Sequence, residues 1–173
     1  MQGLRRQGRS FALQLMYQLD ISKEKTEAAQ VLFWEESRAS EKARAFGEAL
    51  VARTLGSEAR IDALLAAALE NWKITRLPVV VRSAIRLAIC ELVIIAEEPP
   101  AVVINEALEL LRSYMDEDSA KFANGVLEKV RELAAAPGGT PSEGSGESRT
   151  KEPAPGERFE VSAPVLPDGK PTV

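Results

Sequence analysis

The chain has 173 residues, 45% of them hydrophobic and 28% charged, with a formal net charge of −4 at pH 7. That length supports one domain with a real core, and the near-average composition excludes a wholly disordered or membrane-embedded class. With no histidine and Cys90 as the single cysteine, intrachain disulfides, Cys/His zinc sites and histidine-activated nucleophiles are excluded, and a reducing, cytoplasmic compartment fits.

The first predicted helix runs from about Leu4 to Leu19, with Ala12, Leu15, Met16 and Leu19 at helical spacing on one face. It follows an arginine-rich start with no apolar leader core, so no secretory signal is read. A weakly patterned second helix covers Glu27 to Ser37. Ser40 is placed as the N-cap of a third, which stops near Leu55, where Gly56 is expected to take a left-handed conformation. Ser57 is expected to cap the fourth, whose apolar face carries Ile61, Leu64, Leu65, Ala68, Leu69 and Trp72.

A fifth helix starts at Pro78 and runs to about Glu97, apolar on nearly every side except a stripe holding Arg82, Arg86 and Cys90. Within its apolar stretch, Val79 to Ala96, the three charges Arg82, Arg86 and Glu91 are too many for a bilayer span, so no membrane role is expected. Pro99 and Pro100 restart the chain into a sixth helix with Val103, Ile104, Ala107, Leu108 and Leu111 inward. A seventh follows Asp118 or Ser119 as cap, with Phe122, Val126, Val130 and Leu133 inward or at its rim. From Pro137 onward, with seven of the ten prolines and six of the eleven glycines, periodicity disappears. The expected architecture is therefore all-α: a compact bundle of about seven helices over 1–136, in two small subdomains, followed by a disordered Pro/Gly/Ser-rich tail over 137–173.

Three constellations remain for function. Arg5, Arg6 and Arg9 form a basic cluster with no acid before Asp20, and Arg6, Arg9 and Tyr17 share one stripe of the first helix. Cations at a helix N-terminus oppose its macrodipole, so helix stability does not explain them; phosphates of a single strand, with Tyr17 stacking on a base, do. On that reading their loss leaves the fold unharmed and flattens the salt dependence of binding by roughly two units. The alternative is a solvated terminus. The second constellation, DSAKFANGVLEKV over 118–130, points Lys121 outward and begins an apolar face at Phe122. Gly125 within it is explained either by a closely packed helix or by an opening for RNA beside Lys121 and Phe122. The third, Arg82, Arg86 and Cys90, reads as an ion-pair network with Glu91 and Glu106 as counter-charges and Cys90 as a small core residue.

RRQGRSFALQLMYQLD at 5–20, WKITRLPVVVRSAIRLAICEL at 72–92, PPAVVINEALELLRSY at 99–114 and DSAKFANGVLEKV at 118–130 together resemble a NusB-type transcription antitermination protein. The resemblance covers about 4–133 in order and spacing, while 21–56 matches only in helical character. It implies two small helical subdomains, no reaction and no cofactor. It also implies binding to boxA RNA of ribosomal RNA leaders, pairing with NusE, a ribosomal protein of the small subunit, and a place in the RNA polymerase antitermination complex. Monomer and homodimer both remain open. Carried over by position, the RNA-contacting residues fall on Arg5, Arg6, Arg9 and Tyr17, and on Asp118, Lys121, Phe122 and Asn124. Gly8, Val81 and Cys90 depart from the family pattern, Gly8 in a way expected to loosen the first helix. Two other readings are an RNA-binding module of an RNA-modifying methyltransferase system and a helical protein–protein adaptor. No Gly-rich strand-to-helix turn appears for the former, and in the latter the arginines are incidental.

Overall fold

The structure is a computed structural model that describes residues 2–70 and 72–135; the reading of 137–173 as a tail lies outside them. Seven α-helices account for most of the described residues, and no strand occurs among them. They are α1 (Gln2–Ser22), α2 (Glu27–Glu36), α3 (Glu41–Gly56), α4 (Glu58–Leu69), α5 (Val79–Ile89), α6 (Pro100–Tyr114) and α7 (Glu117–Ala135). A short 3-10 turn, Ile74–Arg76, leads into α5, and a π-helical segment, Cys90–Ile95, continues it.

Local chemistry sets most of the boundaries. Thr26 and Ser40 accept from the backbone N–H three residues on, at Ala29 and Ala43, and so start α2 and α3. Three expectations need correction. Gly56 is the last residue of α3 and is not left-handed, and Ser57 makes no side-chain cap for α4. The cap of α7 is Asp116, whose Oδ1 accepts from Ser119 N at 2.7 Å, two and three residues before Asp118 and Ser119, which the sequence favoured. The fifth helix closes at Ala96, in the left-handed region at φ 51°, because the π segment lets the Ala96 N–H bond Glu91 O five residues back.

The central element is α5, buried from Val80 through Ile89. On one side α1 lies across it, backed by α3; on the other sit α4, α6 and α7. The two groups, α1–α3 and α4–α7, thus share α5 and one continuous hydrophobic core, with Leu13, Leu15, Leu50, Ile61, Leu65, Ile85, Ile89, Leu111 and Leu127 fully enclosed. Burying each such side chain contributes about 1.5–3 kcal/mol. Gly8 and Gly47 set the closeness of the α1–α3 crossing. A Cβ at Gly8 would stand 2.7 Å from Ala43 O, and one at Gly47 would stand 2.9 Å from Gly8 O and 2.6 Å from the Trp34 ring. Gly8 therefore tightens the packing of the first helix instead of loosening it.

Candidate nucleic-acid interface

The arginines of α1 are each committed to carboxylates. Arg9 is the most buried: its Nε and Nη2 donate to Glu91 at 2.8 and 2.6 Å, and the side chains are only 7% and 6% exposed. Its Nη1 lies 3.7 Å from Glu106. Arg6 grips the same Glu106 through Nε at 3.0 Å and Nη2 at 2.7 Å, while more than half of its own side chain faces solvent. Arg5, half-buried, pairs with Glu98 and approaches Glu97. The guanidinium carbons of Arg5 and Arg9 lie 5.5 and 5.4 Å from the centre of the Phe46 ring, within cation–π range. Hydrogen bonds from Arg6, against a smaller opposing effect of burial, hold the Glu106 carboxyl below the usual range.

Arg9 is thus a scaffold residue at the position where the sequence reading saw a free cation. The signal was present: Arg9 precedes Ala12, Leu13 and Met16 by three, four and seven residues, so it heads a buried stripe. Glu106 likewise sits among Val103, Ala107 and Leu110 on the inward face of α6. An acid and a base on two apolar stripes are a pairing signal.

The counter-charges of the third constellation also need correction. Arg82 pairs with Asp20 through Nε at 3.0 Å and Nη2, and Arg86 pairs bidentately with Asp62, both bonds at 2.7 Å. Glu91 follows Arg82 by nine residues, which at about 100° per residue puts it on the opposite side of the helix, toward Arg9. Burial, the largest single influence, pushes the Asp20 pKa up, but the Arg82 hydrogen bond and the charges of Arg82, Lys23 and Arg86 together outweigh it and lower the pKa. Cys90 is wholly buried, as expected, and burial pushes its thiol up.

On α7, Lys121 and Asp118 are exposed and 3.3 Å apart, Asn124 is exposed, and Phe122 is half-buried against the core. Nothing lies within 4 Å of a Cβ at Gly125, so a closely packed helix is not its reason; the surface there is open. Tyr17 is half-buried, its ring resting on the core from α1. The principal packing partners of α1 are α3 and α5, and those of α7 are α6, α4 and α5. The two groups of site residues thus belong to separate layers around α5.

Between the N-terminal half of α1 and the C-terminal half of α6 runs a groove of about 510 Å³. At one end the Tyr114 hydroxyl is held by Ser10 Oγ at 2.7 Å and by the Gln14 amide, which donates at 3.0 Å. No helix among the described residues is long and apolar enough to cross a membrane.

The NusB family model matches residues 6–132. The transcription antitermination protein NusB of Desulforapulum autotrophicum is 38% identical over 133 residues, covering 76% of this chain and 93% of that protein. Among solved structures, antitermination factors NusB and NusE in complex with dsRNA match with a TM-score of 0.70 at 27% identity, over 76% of this chain and 98% of that one. The solution structure of NusB from Aquifex aeolicus gives 0.66 at 29% identity, over 75% and 88%. With the family model matched from Arg6 in α1 into the last turn of α7, and relatives named for antitermination instead of a reaction, this chain belongs to the NusB family of non-catalytic transcription antitermination factors.

Proposed function

We propose that the chain binds boxA-type single-stranded RNA together with NusE, in the cytoplasmic RNA polymerase complex that transcribes ribosomal RNA. The observation that carries this reading is the match, over 98% of the neighbouring chain, to a NusB held with NusE and RNA. The charge pattern is consistent with it. Arg5 and Arg6 offer the partly exposed guanidinium groups on α1, and Arg9 supports Arg6 from below through Glu106. Tyr17 on α1, and Asp118, Lys121, Phe122 and Asn124 on α7, complete the proposed contacts.

The RNA of that neighbouring complex is double-stranded. The preference proposed here for single strands rests on Tyr17 and Phe122, half-exposed rings on which unstacked bases can rest but paired ones cannot. Fluorescence anisotropy with a labelled boxA RNA, and with its duplex, each with and without NusE, tests both parts. The expected order is tighter binding of the single strand and a gain when NusE is added. Equal affinity with and without NusE would remove the heterodimer, and a preference for the duplex would remove the single-strand reading.

A further inference from the structure

We propose that the groove between α1 and α6 is a pocket for one unstacked nucleobase, with Arg6 at its rim holding the adjoining phosphate. This rests on the RNA-binding reading above and extends it to residues that the family resemblance did not single out, since only Arg6 of those lines the groove. At about 510 Å³ the groove is of the size that small planar ligands occupy.

Three features favour a base over a peptide. Tyr114 is preorganised: Ser10 Oγ, Gln14 Nε2 and its own hydroxyl form a triangle with sides of 2.7, 3.0 and 3.4 Å, fixing the ring at the end of the groove. A ring that is already immobile gives up little entropy when a base stacks on it. Arg6 is preorganised as well, because both nitrogens facing Glu106 are engaged while the side chain stays 56% exposed. A fixed cation beside a fixed aromatic is the pairing by which single strands are held, one element for the phosphate and one for the base. The lining, finally, combines Phe11 and Leu110 with the amides of Gln7 and Gln14. Such a mixed surface covers the ring of a base and meets its polar edge, and Glu109, on the α6 side, can accept from an exocyclic amine.

The test is a set of labelled boxA RNAs in which each base in turn is replaced by an abasic site, titrated against the full chain with NusE and against two variants. One abasic position should weaken wild-type binding roughly 5- to 150-fold, the range for loss of one stacked base. Against Tyr114→Ala the intact RNA and that abasic RNA should bind equally, with the salt dependence unchanged. Gln14→Ala, which removes one of the two hydrogen bonds on the Tyr114 hydroxyl and leaves the ring and Ser10 in place, should give a smaller loss confined to the same position, and serves if Tyr114→Ala fails to fold. A loss in the variants that is the same for every RNA, or one that appears in NusE binding without RNA, overturns the pocket while the RNA-binding reading stands. A wild-type protein that binds none of these RNAs, with or without NusE, overturns both.

Discussion

A buried arginine is tolerated only while its charge is matched, and Arg9 is matched by Glu91 and, at longer range, by Glu106. Removing one partner of such a pair leaves the other charge in a low-dielectric site and costs about 3–5 kcal/mol. Arg9→Ala should therefore lower the urea midpoint strongly, whereas Arg5→Ala, at a more exposed pair, should stay within about 1 kcal/mol of the parent; Arg6→Ala should fall between the two, because it leaves the buried Glu106 to Arg9 alone. Removing both charges at once, in Arg9→Met with Glu91→Met, should restore much of the loss, because apolar side chains of similar size replace the pair without an orphan. An Arg9→Ala protein that unfolds at the parent's urea concentration would show that Arg9 is a solvated cation after all. The macrodipole argument, which expected the fold to be indifferent to all three arginines, treated α1 as an isolated helix. For Arg9 the tertiary pair outweighs a dipole effect of about 0.3–1 kcal/mol.

At the scale of elements, helices α1, α2, α3, α4 and α6 lie within a few residues of where apolar spacing and capping residues placed them, because a 3.6-residue stripe and a Ser or Thr cap are local signals. What was not legible depends on neighbours distant in sequence. The π segment Cys90–Ile95 has no local marker, and the partners of Arg82 and Arg86 come from α1 and α4, 62 and 24 residues away. Two of the helical glycines, Gly8 and Gly125, show the same limit, since both break a helical pattern in sequence and only the fold tells them apart. Gly8 faces backbone at 2.7 Å, while Gly125 faces open space. Gly8→Ala should overpack the α1–α3 crossing and cost about 1–3 kcal/mol, with Gly47 and Phe46 taking the displacement. Gly125→Ala should instead gain about 0.5–1 kcal/mol from helix propensity alone. Thermal melts of the two variants should move in opposite directions, and a fall in both midpoints would mean that Gly125 is kept for packing.

For the whole molecule, a net charge of −4 means that attraction to RNA is local, since the long-range field does not draw a polyanion in. The number of cations able to reach phosphates therefore decides how binding responds to salt. Arg5, Arg6 and Arg9 together would set a change of about two units, at about 0.7 per phosphate on a single strand. With Arg9 enclosed between Glu91 and Glu106, two remain on α1, so the double variant Arg5→Ala with Arg6→Ala should flatten the slope by about 1.4. Lys121, 69% exposed on α7 and paired only loosely with Asp118, should contribute a further 0.7 or so when replaced, if one strand spans both layers around α5. Because Arg5 and Arg6 are already paired, a phosphate has to share or displace Glu98 and Glu106, which exchanges one charge contact for another and keeps the affinity of the chain alone low. Affinity measured from 50 to 300 mM salt on boxA RNA separates the cases. A slope that flattens by about two units only when Arg9 is replaced as well, in a variant that remains folded, would place Arg9 at the surface in solution. A slope unaffected by Arg5, Arg6 and Lys121 together would move the RNA to another face of the protein.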